Sequence, residues 1–108
     1  MKNRNTSQLS AIIEQLQANE QALKAQGINH VSIFGSLARG EDAARSDVDV
    51  CIKLDEGARP RGFAFARHVQ AISEHLKQML NRPVDVVVAP VYKERLRQEI
   101  ERDSVHAF

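Results

Sequence analysis

The sequence holds a single cysteine, Cys51, among 108 residues. No disulfide can form within it, and no multi-cysteine metal site can be built. Cys51 lies in an apolar run and reads as a small buried hydrophobe. No apolar stretch approaches the ~20 residues needed to cross a bilayer. The opening MKNRNTSQLS lacks the apolar core of a secretory signal. A cytoplasmic protein with no membrane association is expected. Excess charge is also missing: 15 Lys and Arg against 14 Asp and Glu leave +1. Nothing global therefore calls for nucleic acid as a direct partner, and any anion binding must come from local arrangement. Repeats and low-complexity segments are absent.

What is there is ordinary soluble composition, 43% hydrophobic and 27% charged, in a length that suits one domain spanning residues 1–108. Leu9, Ile12, Ile13, Leu16 and Leu23 recur near helical spacing and predict one helix over 7–26, closed by Gly27. His30 to Phe34 reads as a strand stopped by Gly35. Residues 37–46 suit a short helical turn followed by a loop. Asp47 to Leu54 alternates with period two, putting Val48, Val50 and Ile52 on one face and Asp47, Asp49, Cys51 and Lys53 on the other. The segment 55–62 is turn-rich. A second helix is predicted over 63–81, a strand over 84–89, and a last helix from Pro90 that buries Leu96 and Ile100 and frays near Asp103. The order α-β-(short α)-β-α-β-α predicts an α/β (α+β) fold, a small three- or four-stranded sheet covered on one face by helices, with the other face partly open.

The aspartate face cannot be the core face, because two carboxylates packed against apolar helices would carry a heavy desolvation cost. Asp47 and Asp49 point the same way, about 6–7 Å apart along the strand. Magnesium typically takes one or two carboxylates together with substrate phosphates, so the pair is a candidate metal site. Asp85, set among Val84, Val86, Val87 and Val88, needs water, a cation or a metal beside it. If its strand lies next to 47–54, it reaches the same face and can share a metal or take a proton. Gly35 after a strand allows close backbone approach to a ligand, and Ser36 opens a helical turn that adds a hydroxyl donor. His68 and His75 read as surface histidines, and Arg59, Arg61 and Arg67 as a small basic cluster, either a solvated face or a contact with an acidic partner or RNA.

Gly35-Ser36, ten intervening residues and Asp47-Val48-Asp49 resemble the signature of the DNA polymerase β-like nucleotidyltransferase superfamily. Arg39-Gly40, Ser46 and Asp85 in its valine-rich strand fit the same pattern, with Leu37 where relatives often carry a polar or basic residue. The length and spacing look most like the minimal nucleotidyltransferases, the antitoxins of HEPN/MNT toxin–antitoxin pairs, and the final I-E-R-D-S-V-H-A-F is similar to that family's helical tail. The resemblance implies a nucleotidyltransferase fold, a small mixed sheet carrying ATP and two Mg²⁺ ions. Asp47 and Asp49 would be metal ligands and Asp85 a metal ligand or general base. Gly35 and Ser36 would hold the β/γ-phosphates, Arg39 would have a phosphate or structural role, and Ser46 would sit on the nucleotide side of the site.

The activity so implied is a type VII-like antitoxin's transfer of AMP from ATP to a tyrosine hydroxyl of a HEPN RNase toxin, within a hetero-oligomer. A non-catalytic protein that neutralises its partner by stoichiometric binding is the alternative. Modification of a small molecule is disfavoured, because only about 20 residues follow the last aspartate strand, too few for a substrate domain. The acceptor site is therefore expected from another chain, with Val105, Phe108 and the outer face of the first helix as candidate contacts.

Overall fold

A computed structural model describes residues 4–41 and 47–108. The first apolar stripe forms two helices, α1 (Arg4–Ala18) and α2 (Glu20–Ala25), where the spacing alone predicts one. Asn19 makes the break. Its Nδ2 donates to Gln15 O at 2.8 Å, the kind of local side-chain bond with which asparagine competes against a helix ladder. Both helices still bury their apolar residues, because Leu16 and Leu23 are each fully enclosed.

Strand β1 (Ile28–Phe34) starts two residues earlier than expected and runs into a one-turn helix, α3 (Gly35–Ala38). Strand β2 (Val48–Leu54) is followed by a 3-10 turn at Glu56–Ala58 and by helix α4 (Phe63–Leu80). Helix α4 ends on Asn81 in the left-handed conformation, just before the Arg82-Pro83 break. Strand β3 (Val84–Ala89), helix α5 (Glu94–Asp103) and a short strand β4 (Val105–His106) complete the order.

The sheet is mixed and four-stranded, in the order β3-β2-β1-β4. Strands β1 and β2 are antiparallel, whereas β2 and β3 are parallel, so the chain must cross over between them, and α4 is that crossover. Val31, Ile33, Val48, Val50 and Ile52 face α1, α2 and α4, meeting Ile12, Leu16, Leu23, Ile72 and Leu76 in one cluster. Phe34 and Cys51, on the opposite pleats, are buried without joining that cluster. None of the described helices is long and apolar enough to cross a membrane.

Two sequence expectations change at the end of the chain. Residues 90–93 stay non-helical, and α5 begins at Glu94, whose carboxylate suits the positive end of the helix dipole. Leu96 and Ile100 are half-buried rather than enclosed, because α5 rests on α3 and β1 and not on the main core. The tail after Asp103 is a strand rather than fraying helix. Ala107 N donates to Val31 O at 2.8 Å and Val31 N to Phe108 O at 3.0 Å, which satisfies the edge of β1. Phe108, expected to face a partner, packs on the chain's own core.

Candidate functional site

The register of the sheet assembles the site. Asp49 sits on central strand β2, opposite Phe34 of β1 and directly beside Asp85 of β3. Neighbouring strands lie about 4.8 Å apart, so the two aspartates stand side by side on one pleat. Asp85 is exposed and Asp49 half-buried. Asp47, just before β2, is exposed and still acts electrostatically on Asp49.

Gly35 lies against this pair. Its φ is +77°, a left-handed conformation that side chains rarely adopt. A Cβ there would overlap Asp49 Oδ2 and lie 3.1 Å from its Cγ. The turn therefore sits over the carboxylate only because residue 35 has no side chain. Ser36 is half-buried on the same turn, which is closed by Arg39 N donating to Gly35 O at 3.1 Å and Glu41 N to Ser36 O at 2.8 Å.

The electrostatics of Asp49 follow from this crowding. Burial pushes its carboxyl above the usual range, and the charges of Asp85, Asp47 and Glu99 push the same way, with Arg39 opposing. Two adjacent carboxylates, one of them partly desolvated, are a hard-oxygen site short of positive charge. Among the described residues no three or more His, Cys, Asp or Glu side chains converge as a ready-made metal cage. A magnesium-type site does not need one, since one or two carboxylates with substrate phosphates and water suffice.

Arg39 is already engaged. Its Nε pairs with Glu41 at 3.1 Å, and its Nη1 lies 3.4 Å from Asp103 and 3.5 Å from Glu99. The hydrogen bond to Glu41 raises its pKa most, against some desolvation. Asp103 is held below the usual carboxylate range, first by Arg102 and then by Arg39. This network ties the α3 turn to α5. Glu99 and Asp103 were not foreseen, because an acidic i,i+4 pair on a polar helix looks like any solvated face.

Of the predicted residues, Gly35, Ser36, Asp49 and Asp85 come together, with Asp47 at the rim and Arg39 one turn away. Ser46 lies outside the described residues. Cys51 is buried, and burial pushes its thiol pKa up, as suits an inert small hydrophobe. His68 and His75 are half-buried rather than on the surface, and His75 Nδ1 shares a 2.6 Å hydrogen bond with Gln26 Oε1. Tyr92, expected within a helix, is exposed on the connector before α5.

Known proteins resemble this chain in sequence and in fold. The family model described as a nucleotidyltransferase domain matches residues 10–107. A Methanocaldococcus jannaschii protein, provisionally named a protein adenylyltransferase, is 30% identical over 100 residues, covering 91% of this chain and 96% of its own. Protein adenylyltransferase MntA of Thermococcus cleftensis is 28% identical over 92 residues, 84% of this chain and 87% of its own. The solved complex of a tri-AMPylated Shewanella oneidensis HEPN toxin with MNT antitoxin contains a chain of the same fold. Its TM-score is 0.52 at 18% identity, with 96% of this chain and 71% of that chain covered.

Proposed function

The chain belongs to the nucleotidyltransferase domain family, and we propose that it transfers AMP from ATP to a tyrosine hydroxyl of a HEPN-domain partner. It does so as one minimal nucleotidyltransferase domain, in the cytoplasm and in complex with that partner. The observation that carries this reading is the in-register pair Asp49 and Asp85, with the Gly35 backbone packed against Asp49. The relatives named for protein adenylylation and the solved complex with an AMPylated HEPN toxin support it.

Asp47, Asp49 and Asp85 would hold two Mg²⁺ ions, which supply neutralising charge for the triphosphate and the departing pyrophosphate. The rest falls to the chain's own groups. Gly35 and Ser36 form the turn that receives the β/γ-phosphates, and Ser46 is assigned to the nucleotide side. The acceptor oxygen forms its bond to the α-phosphorus as the bond to the bridging oxygen breaks, so pyrophosphate leaves in line. Asp85, exposed on the open face, takes the hydroxyl proton. The three carboxylates around Arg39 favour the structural of its two roles, with Arg39 steadying the α3 turn from below.

The test is co-expression of Asp47→Asn/Asp49→Asn with the HEPN-domain partner, followed by intact mass. The unmodified chain should add AMP units to the partner, and the double variant none. If the unmodified chain neutralises the partner without changing its mass, the enzymatic reading is wrong and stoichiometric binding replaces it.

A further inference from the structure

The open face of the sheet does not end at the carboxylates. The parallel register runs from Asp49 and Asp85 through Cys51 and Val87 to Lys53 and Ala89, about 13 Å along β2. There a recess of ≈ 380 Å³ opens between Lys53, Leu54, Glu56, Arg59, Ala89 and Pro90. Arg59 ties its two walls together. Its Nη1 donates to Ala89 O at 3.5 Å, and its guanidinium lies 5.0 Å from the centre of the Phe65 ring.

The cations of this rim differ from those elsewhere. Lys24, Arg39, Lys77, Arg97 and Arg102 are ion-paired at 2.8 to 3.5 Å. Among the described residues, Lys53, Arg59, Arg61, Arg67, Lys93 and Arg95 hold no carboxylate. Segments 53–67 and 92–95 carry those six cations against three carboxylates, Asp55, Glu56 and Glu94, on a chain whose total charge is +1. Glu94 is itself turned to Arg97, 3.8 Å away.

The chain segments that leave this recess carry the exposed aromatics. Phe63 and Tyr92 are 87% and 88% exposed, and chain connectivity keeps their Cα atoms within about 14 Å of that of Arg59 and about 11 Å of that of Ala89. Uncovered aromatics beside unpaired arginines are the composition of interface hot spots.

We propose that this rim docks an acidic face of the acceptor protein, laying its hydroxyl-bearing segment across the open face toward Asp85. The proposal rests on the protein-adenylylation reading above and adds where, and by what chemistry, the acceptor is gripped. Charge complementarity selects an acidic occupant. A nucleic acid fits less well, because a strand running from the rim to the site would carry its phosphates past Asp85, Asp49 and Asp47.

The test uses the full chain and its HEPN-domain acceptor, with two double variants at exposed positions, Arg61→Glu/Arg67→Glu and Phe63→Ser/Tyr92→Ser. Each should weaken the complex by at least about tenfold, while ATP binding measured by calorimetry stays unchanged. Raising salt should weaken the unmodified complex more than the charge-reversed one. Acceptor affinity equal to that of the unmodified chain in both variants overturns the docking surface, as does failure of the unmodified chain to bind the acceptor. Unchanged acceptor binding with lost affinity for a single-stranded RNA probe also overturns it, and reassigns the rim to nucleic acid. An acceptor that binds through the rim and gains no AMP leaves the docking surface standing and removes the adenylylation reading instead.

Discussion

Gly35 and Asp49 are fitted to each other: the carboxylate of one fills the space where the other would carry a side chain. Any Cβ at position 35 would overlap Asp49 Oδ2, and the backbone there has φ +77°. Gly35→Ala therefore meets two penalties. The left-handed backbone costs about 1–2 kcal/mol, and Asp49 must swing away from the turn. Displacing a reacting group by an ångström can cost on the order of 100-fold in rate. AMP transfer should fall by at least that factor, a much larger loss than the shift in the urea midpoint alone explains. Initial rates and an unfolding curve on the same preparation separate the two effects.

Asp49 carries the opposite tension, between stability and function. Its carboxyl pKa lies higher in the folded chain than in the unfolded one, first through burial and then through Asp85. A raised folded value means that the group's contribution is intact below the unfolded pKa and is lost as pH rises through the folded value. The metal-free chain should thus lose stability as pH climbs past the usual carboxylate range. Asp49→Asn should remove that loss and raise Tm at neutral pH, while abolishing AMP transfer. Thermal melts from about pH 4 to pH 8 with chelator present, compared between the two chains, measure it.

The faces of the sheet were legible before the fold was known, and its edges were not. Period-two alternation over 48–54 separates Val48, Val50 and Ile52 from Asp49 without any tertiary knowledge. Asp85 could be assigned to the same face only on condition that its strand neighboured β2, because register depends on how the α4 crossover lands. The break at Asn19 was hidden by the seven-residue spacing of Leu16 and Leu23, which keeps the apolar stripe intact across the kink. Glu99 and Asp103 were silent for another reason. Their partner Arg39 lies 60 or more residues away in sequence, and long-range ion pairs leave no periodic trace.

The Arg39 network makes a prediction about coupling. Arg39 joins the α3 turn to Glu99 and Asp103 of α5, so removing it should loosen α5 from the turn that holds Ser36. Arg39→Ala should lower Tm and raise KM for ATP more than it lowers kcat. Arg39→Lys, which keeps the charge but not the planar fork, should recover Tm in part only. Glu99→Gln placed on top of Arg39→Ala should add little, because the pair is already broken. A double-mutant cycle on Tm and KM measures this coupling. Full additivity would mean that Arg39 acts on the nucleotide directly.

The last four residues supply the final prediction, since they close the free edge of β1. Ala107 is buried at 3% exposure. Its backbone is bonded to Val31, and Gln17 Nε2 donates to its carbonyl at 2.9 Å. Phe108 packs on the core with Lys24 Nζ 5.9 Å from its ring centre. Deleting residues 105–108 would expose this edge and strip several hydrogen bonds, at a cost of about 2–4 kcal/mol. Urea unfolding should show the midpoint fall accordingly. Phe108→Ala should behave as a milder form of the same lesion, destabilising the isolated chain while leaving the affinity of its folded fraction for the partner unchanged. A loss of partner binding at full stability would instead place Phe108 in an interface, as its sequence position alone first suggests.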